Sequence, residues 1–370
     1  MTVSKLSPPD HRRLPARNKP SITKELLAWY DVNRRVFPWR AKHGRPSNPY
    51  RVWLSEMMLQ QTTVQAVDKY YRSFLKRWPS ITALARASLD DVLAAWAGLG
   101  YYSRARNLHR TAQIIAFEHG ARFPNSAAEL KKFPGIGPYT AGAIASIAFG
   151  ERVAAIDANG ERVLSRLFAL EEPIQKTRAR MAVLADALVP KERPGDFAQA
   201  LMDLGSLICT PKSPKCDVCP VAPHCKARIR GIAAKLPLKI PKQERPTRRG
   251  AAFVALDRRG AVLLERRPED GLLGGMMQPP LGAWRQSFPS PVRAKNEIPF
   301  SGDWAKVPGI VRHSFTHFHL EIEVYVARFS RRPKFDGVWV ARDNFGQTAL
   351  PTAMKKLLDH AFEFKNSARR

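Results

Sequence analysis

Phe133-Pro134-Gly135-Ile136-Gly137-Pro138-Tyr139-Thr140 runs directly into Ala141–Phe149, a stretch of small and apolar residues. Glycines at this spacing let backbone N–H groups approach a phosphate with no Cβ in the way. The N-terminus of the following helix adds partial positive charge. This is the helix–hairpin–helix way of gripping a DNA backbone, although Pro and Gly also punctuate any ordinary turn between two helices. Charge weighs toward DNA: 61 Lys plus Arg face 32 Asp plus Glu, a net +29. Such an excess speaks to polyanionic partners rather than to fold.

Outward from the hairpin, residues 21–208 read as helical. Asn48 stands as an N-cap with Pro49 at the first helical position, and Val52, Trp53, Met57 and Met58 follow as the apolar face. Val64, Val67, Tyr71 and Phe74 step by three and four, as do Val163, Leu164, Leu167 and Phe168. Residues 1–20 read as a disordered basic tail. Residues 226–249 hold nine Lys or Arg, one acid (Glu244) and three prolines, Pro237, Pro241 and Pro246. That composition reads as an extended linker. Beyond it, Ala252–Leu256 and Ala261–Leu264 flank Asp257-Arg258-Arg259-Gly260 as a hairpin. Leu320–Phe329 alternates, with Leu320, Ile322, Val324 and Val326 on one face. Gly337–Val340 predicts a strand and Ala353–Phe364 a closing helix. A separate α+β domain is expected over 250–364, with a tail at 365–370. The length suits two domains. The longest apolar run, Ala141–Phe149, is too short to span a bilayer. The first residues lack the apolar core of a secretory signal. A soluble intracellular protein with no membrane partner is expected.

All four cysteines lie between 209 and 225, spaced C-x6-C-x2-C-x5-C as Cys209, Cys216, Cys219 and Cys225. A secreted disulfide protein scatters its cysteines, whereas a tight cluster in an intracellular chain points to metal. Pro211, Pro214, Pro220 and Pro223 supply the turns so short a loop needs. Spacing alone leaves two fillings open, one tetrahedral Zn²⁺ or an iron–sulfur cluster with one thiolate per iron.

Leu54-Ser55-Glu56-Met57-Met58-Leu59-Gln60-Gln61-Thr62, the hairpin, Asp157 and the cysteine loop occur in an order and spacing that resemble the helix–hairpin–helix glycosylase superfamily. Within it, they are similar to adenine DNA glycosylases of the MutY type. The resemblance is close over 21–225 and looser beyond. It implies a mainly α, two-lobed N-terminal domain with an iron–sulfur loop at 209–225, plus a C-terminal α+β Nudix-like domain. It implies one [4Fe–4S] cluster on Cys209, Cys216, Cys219 and Cys225. It further implies removal of adenine mispaired with 8-oxoguanine or guanine in double-stranded DNA, with the adenine extruded from the stack. A monomer is expected, in the cytoplasm of a bacterial-type cell and on the nucleoid when bound to DNA.

The resemblance assigns roles to particular residues. Glu56 lies among Trp53, Leu54, Met57, Met58 and Leu59, and a carboxyl among apolar neighbours resists ionisation. That suits a general acid that protonates the adenine ring, where a helix Glu met in isolation reads as exposed. Asp157, a plain N-cap by position, becomes the carboxylate that stabilises the sugar cation, helped by Tyr139 and Asn159. The family shows D-G-N-V where this chain has Asp157-Ala158-Asn159-Gly160, and Gly160 in an early turn is expected to loosen the helix. Tyr139 stands where lyase relatives carry a Schiff-base lysine, and a phenol cannot form one. Gly135 and Gly137 hold the DNA backbone. Gln61, Thr62 and Leu99 face the 8-oxoguanine strand, Tyr101 is a stacking wedge, and Trp39 and Arg40 border the adenine pocket.

In the second domain the Nudix catalytic carboxylates are absent: Gly271 to Pro280 carries no acid. The domain should bind rather than hydrolyse, reading the lesion with Phe315, Thr316 and His317, where the family has Phe-Ser-His. Three rivals remain, an endonuclease III-like bifunctional glycosylase/AP lyase, a non-enzymatic iron–sulfur DNA-binding redox sensor, and a zinc-bearing DNA scaffold that would lack the visible absorbance of an iron cluster. Tyr139 discriminates against the first and the Glu56/Asp157 pair against the second.

Overall fold

The computed structural model describes residues 19–42, 44–241 and 244–367. Residues 1–18, most of the expected tail, lie outside that set. The chain divides into two compact units, one of residues 1–72 and 114–241, the other of 73–113 and 242–370. In chain order the helices are α1 (Lys19–Asn33), α2 (Pro49–Leu59), α3 (Val64–Arg77), α4 (Ile81–Ala85), α5 (Leu89–Trp96), α6 (Ser103–Glu118), α7 (Ala127–Leu130), α8 (Pro138–Phe149), α9 (Ala158–Leu167), α10 (Ile174–Asp186), α11 (Pro194–Leu207) and α12 (Lys226–Ile229). Then come β1 (Thr247–Leu256), β2 (Val262–Arg266), β3 (Met277–Gln278), α13 (Pro291–Asn296), β4 (Ala305–Lys306), β5 (Val311–Ser314), β6 (His319–Arg328), β7 (Val338–Val340) and α14 (Thr352–Ser367).

The first unit is helical. Ile22, Leu26 and Tyr30 of α1 pack with Val163, Leu164 and Leu167 of α9 and with Phe197, Leu201 and Leu204 of α11. Two helix starts follow the local code. Asn48 caps α2 by accepting the Arg51 N–H at 3.2 Å, with Pro49 in the first turn. Asp157 caps α9 by accepting the Gly160 N–H at 2.7 Å. Between α7 and α8 the turn closes with Ile136 N–H donating to the Phe133 carbonyl at 3.1 Å. Gly135 sits there at φ 76°, a left-handed conformation that L side chains resist.

Two boundaries differ from the sequence reading. Residues 226–249 are not extended throughout: α12 is followed by a 3-10 turn at Ala233–Lys235. Ala227, Ala233 and Leu236 are buried against Cys216 and Cys225. Small apolar residues between the basic ones let this segment fold over the cysteine loop, which a count of charges and prolines conceals. Likewise, residues 73–113 cluster with the second unit instead of with the rest of 21–225. Arg266 forms a two-bond ion pair with Asp90 at 2.8 Å, and Arg106 donates to the Gly274 carbonyl.

The second unit carries a mixed sheet ordered β3-β2-β1-β6-β4, with β5 paired to β6 and β7 to β2. β1 and β6 run parallel from Thr247↔His319 to Leu256↔Arg328, and β1 and β2 form the expected antiparallel hairpin at Leu256↔Val262. Leu320, Ile322 and Val324 of β6 are buried with Ala252, Val254 and Leu256 of β1 and with Met354, Leu357 and Leu358 of α14. That closing helix runs to Ser367, into the residues expected as tail.

Candidate active site and cysteine cavity

A cleft of about 960 Å³ opens in the first unit, lined by residues from the loop before α2, from α2 itself, the hairpin, and the starts of α8 and α9. α2 is buried from Val52 to Met58, and Glu56 is only 5% exposed. Burial pushes its carboxyl up to about 7; the nearby Asp157 charge raises it further, while the Tyr139 hydrogen bond and Arg40 oppose the rise. Tyr139, in the first turn of α8, donates its hydroxyl to Glu56 Oε2 at 2.8 Å. Across the cleft, Asp157 uses both oxygens: Oδ1 accepts from Gly160 N–H and Oδ2 accepts from Asn159 Nδ2 at 2.8 Å. Gly160 sits in a formed first turn of α9. It is buried, and a Cβ there would stand 3.2 Å from Ile156 Cγ2 and 3.4 Å from Asp157 Oδ1.

The structure thus brings Glu56, Tyr139, Asp157 and Asn159 to one cleft, with Trp39, Arg40, Gln61, Thr62, Gly135 and Gly137 on its lining. Gly137 is exposed, with nothing within 4 Å of where a Cβ would stand. The remaining expected contacts lie in the second unit. Leu99 is buried, while Tyr101 is 43% exposed. The Tyr101 hydroxyl is hydrogen-bonded to the Thr316 hydroxyl. Thr316 and His317 are exposed and Phe315 half-buried, its ring against Phe318 at 4.8 Å.

Cys209, Cys216, Cys219 and Cys225 are free thiols lining one cavity with Arg166, Leu204, Ile208 and Val221. Burial pushes the Cys219 thiol up to about 11 and raises Cys216 and Cys225 as well. Arg166, 1% exposed, donates to Cys209 Sγ at 3.2 Å and to the carbonyls of Thr210, Pro211 and Leu236. A fixed cation against sulfur suits a donor set that must become anionic to bind metal. Among the described residues, no three His, Cys, Asp or Glu side chains converge as a site for one metal ion.

Comparison with known proteins fits this geometry. Residues 54–187 match the HhH-GPD superfamily of base excision DNA repair proteins, 209–225 the iron–sulfur binding domain of endonuclease III, and 251–360 the NUDIX domain. The adenine DNA glycosylase of Homo sapiens is 35% identical over 90% of this chain and 72% of its own length. That of Buchnera aphidicola subsp. Schizaphis graminum is 32% identical over 90% of this chain and 96% of its own. The chain belongs to the adenine DNA glycosylases. Among solved structures, a thermostable thymine-DNA glycosylase aligns with a TM-score of 0.52 and 29% identity, over 58% of this chain and 98% of the other. As an adenine DNA glycosylase, the protein is a DNA-binding hydrolase of N-glycosyl bonds in base excision repair, and it carries an iron–sulfur cluster.

Three elements of this glycosylase site escape a sequence reading. Gln60, not only its neighbours, joins α2 to the hairpin, its Nε2 donating to the Gly135 carbonyl at 3.3 Å and Thr140 Oγ1 at 3.2 Å. Arg162 donates to Asn159 Oδ1 at 2.8 Å, the Gly205 carbonyl at 2.6 Å and the Cys209 carbonyl at 2.7 Å, so it touches both cleft and cysteine loop. Its place three residues after Asn159, on the same helix face, was a usable signal. Asp203 holds Arg35 and Arg40 from α11, and no local pattern marks it.

Proposed function

We propose that the protein hydrolyses the N-glycosidic bond of adenine mispaired with 8-oxoguanine or guanine, with Glu56 as general acid and Asp157 stabilising the sugar cation. The observation that carries this is Glu56 itself, 5% exposed, pushed up to about 7 and facing Asp157 across the cleft. Near neutral pH Glu56 holds a proton to give to the adenine ring. As the C1′–N9 bond breaks, its electron pair leaves with the protonated base and the sugar becomes cationic. The Asp157 carboxylate, held by Gly160 and Asn159, faces that charge without moving. Water then adds at C1′, and the proton it releases can return to Glu56, closing the balance. Tyr139 keeps Glu56 oriented through its hydroxyl.

No lysine lines the cleft among the described residues, which favours base removal without Schiff-base lyase chemistry. The hairpin glycines hold the DNA backbone, Gln61, Thr62, Leu99 and Tyr101 meet the 8-oxoguanine strand, and Phe315, Thr316 and His317 read the lesion. Cys209, Cys216, Cys219 and Cys225 hold one [4Fe–4S] cluster. Iron rather than a single zinc is favoured by the match of residues 209–225 to the iron–sulfur binding domain of endonuclease III, with one thiolate for each iron. When bound, that cluster ties the loop ends together through four thiolates. The protein acts as a monomer, in the cytoplasm and on the nucleoid.

The test is adenine release from a duplex carrying A opposite 8-oxoguanine, with and without alkali. Strand breaks only after alkali are expected. Breaks without alkali would favour the bifunctional lyase. No release by the cluster-loaded protein would leave a DNA-binding redox sensor.

A further inference from the structure

Asp203 is an aspartate with no exposed side-chain surface, on α11, 168 residues from Arg35 and 163 from Arg40. Its Oδ1 accepts from Arg35 Nε at 2.6 Å and Arg40 Nη2 at 2.9 Å, and its Oδ2 accepts from Arg40 Nη1 at 2.7 Å and the Arg35 N–H at 3.0 Å. Arg40 Nη1 also donates to the Arg35 carbonyl at 3.1 Å. The two guanidinium carbons lie 4.9 and 5.1 Å from the Phe37 ring, which stacks on Trp39 at 4.9 Å. Arg35, Phe37, Trp39 and Arg40 all line the cleft that holds Glu56. One buried carboxylate therefore organises a whole wall of the site.

We propose that Asp203 is a positioning residue for base excision, clamping Arg35 and Arg40 as one rigid side of the adenine pocket and offsetting the Arg40 charge beside the acid. This rests on Glu56 being that acid. A bidentate grip on Arg40 fixes a planar fork that otherwise has several rotamers. The charge argument is separate. Around Glu56 stand the Tyr139 phenol from α8, the Asp157 carboxylate at the head of α9 and the Arg40 guanidinium, while Arg35, Glu161 and Arg178 line the same cleft. Of the groups acting directly on Glu56, Tyr139 and Arg40 favour its ionised form. Asp203, less than 3 Å from Arg40, offsets the guanidinium. Removing the Asp203 charge would leave Arg40 uncompensated, and Glu56 would surrender its proton at a lower pH.

The experiment is single-turnover adenine release by the full-length, cluster-loaded protein across pH 5.5–9, comparing wild type with Asp203→Asn. Two changes are expected in the variant: a lower plateau on the acid side, and an alkaline limb moved to lower pH by about one unit. At pH 7.5 the two together reduce the rate by about ten- to a hundredfold. Adding Arg40→Gln to Asp203→Asn should return the limb toward wild type while the plateau stays low. A limb that does not move overturns the charge role, and a wild-type plateau overturns the clamp. Should Asp203→Asn fail to fold, as cluster absorbance would reveal, Arg40→Lys carries the test. It keeps a positive charge but loses the fork, so the plateau should fall with the limb unmoved; a wild-type plateau overturns the proposal. A wild-type profile with no alkaline limb near 7 would instead count against Glu56 as the acid, and the plateau comparison would still decide the clamp.

Discussion

The cleft and the cysteine cavity lie in the same unit and use burial to opposite ends. In the cleft, burial raises Glu56 to about 7, so an acid that ordinarily ionises near 4.5 keeps its proton toward neutral pH. In the cavity, burial raises Cys219 to about 11, although thiols must lose their protons to bind iron. The same desolvation serves one site and opposes the other. What differs is the charge supplied alongside: the Asp157 carboxylate adds to the rise at Glu56, whereas the buried Arg166 cation opposes the rise at Cys216. A buried ionisable group is thus read from its neighbours, not from its burial alone.

The largest break in this comparison comes from Glu56→Gln. General acids contribute about 10²- to 10⁴-fold, and a loss of that size in adenine release is expected while lesion-duplex binding persists. Equal loss of binding would make Glu56 structural. Wild-type activity should decline as pH rises through about 7, where Glu56 gives up its proton. Stability carries the same signature. Because the folded value is raised above the unfolded one, the native state holds an extra proton between about 4.5 and 7. Stability contributed by the neutral carboxyl is full below that window and lost as pH rises through it. The full difference corresponds to about 3 kcal/mol, so Glu56→Gln should melt higher than wild type at pH 8. An equal or lower Tm there would contradict the burial cost.

On the cavity side, removing iron with a chelator should take away visible absorbance and open residues 209–236 to protease. The segment that covers the thiols, Ala227 to Leu236, rests on Cys216 and Cys225 and is expected to loosen with them. A chelated protein whose 209–236 segment resists protease would show that Arg166 and its carbonyl partners suffice to hold the loop.

Arg162 is where the two sites can be set against each other, since one guanidinium bonds Asn159 in the cleft and the Cys209 carbonyl beside the cavity. Arg162→Gln should cost about 1.5–3 kcal/mol of charge-assisted bonding. Adenine release should then fall about tenfold to a hundredfold, with the Glu56 alkaline limb in place because Glu56 keeps its own partners. Wild-type rates would confine Arg162 to holding the loop.

What could be read from sequence and what could not divides along range of contact. Asn48, Pro49 and Asp157 carry their structural roles within three residues, and all three act as read. The alternation of β6 and the Asp257–Gly260 turn are equally local, and both elements form. The burial of Glu56 was legible only through the family resemblance of Leu54–Thr62, since a helix Glu read alone is expected at the surface. Asp203 holds arginines more than 160 residues away, and nothing in its own helix distinguishes it from a surface acid. The grouping of 73–113 with the second unit is likewise long-range, with Arg266 bonding Asp90 across 176 residues. At Gly160 a Cβ would crowd Ile156 and Asp157, a contact that helix propensity does not register.

The smallest expected effect sharpens the comparison from the second unit. Unlike Glu56, Thr316 is exposed, and its hydroxyl is shared with the Tyr101 hydroxyl. Thr316→Val keeps the branched shape and removes only the hydroxyl, so stability should move by less than about 0.5 kcal/mol. If that hydroxyl bonds the lesion base, one neutral hydrogen bond of about 0.5–1.5 kcal/mol is lost. Preference for adenine opposite 8-oxoguanine over guanine should then fall by about two- to tenfold, with release opposite guanine little changed. Equal slowing on both duplexes would point instead to Tyr101, which would have lost its hydroxyl partner. An unchanged preference would remove Thr316 from the reader altogether and leave Phe315 and His317 to carry it. The exposed site thus answers through selectivity where the buried one answers through rate, because a group already in water has little desolvation to exploit.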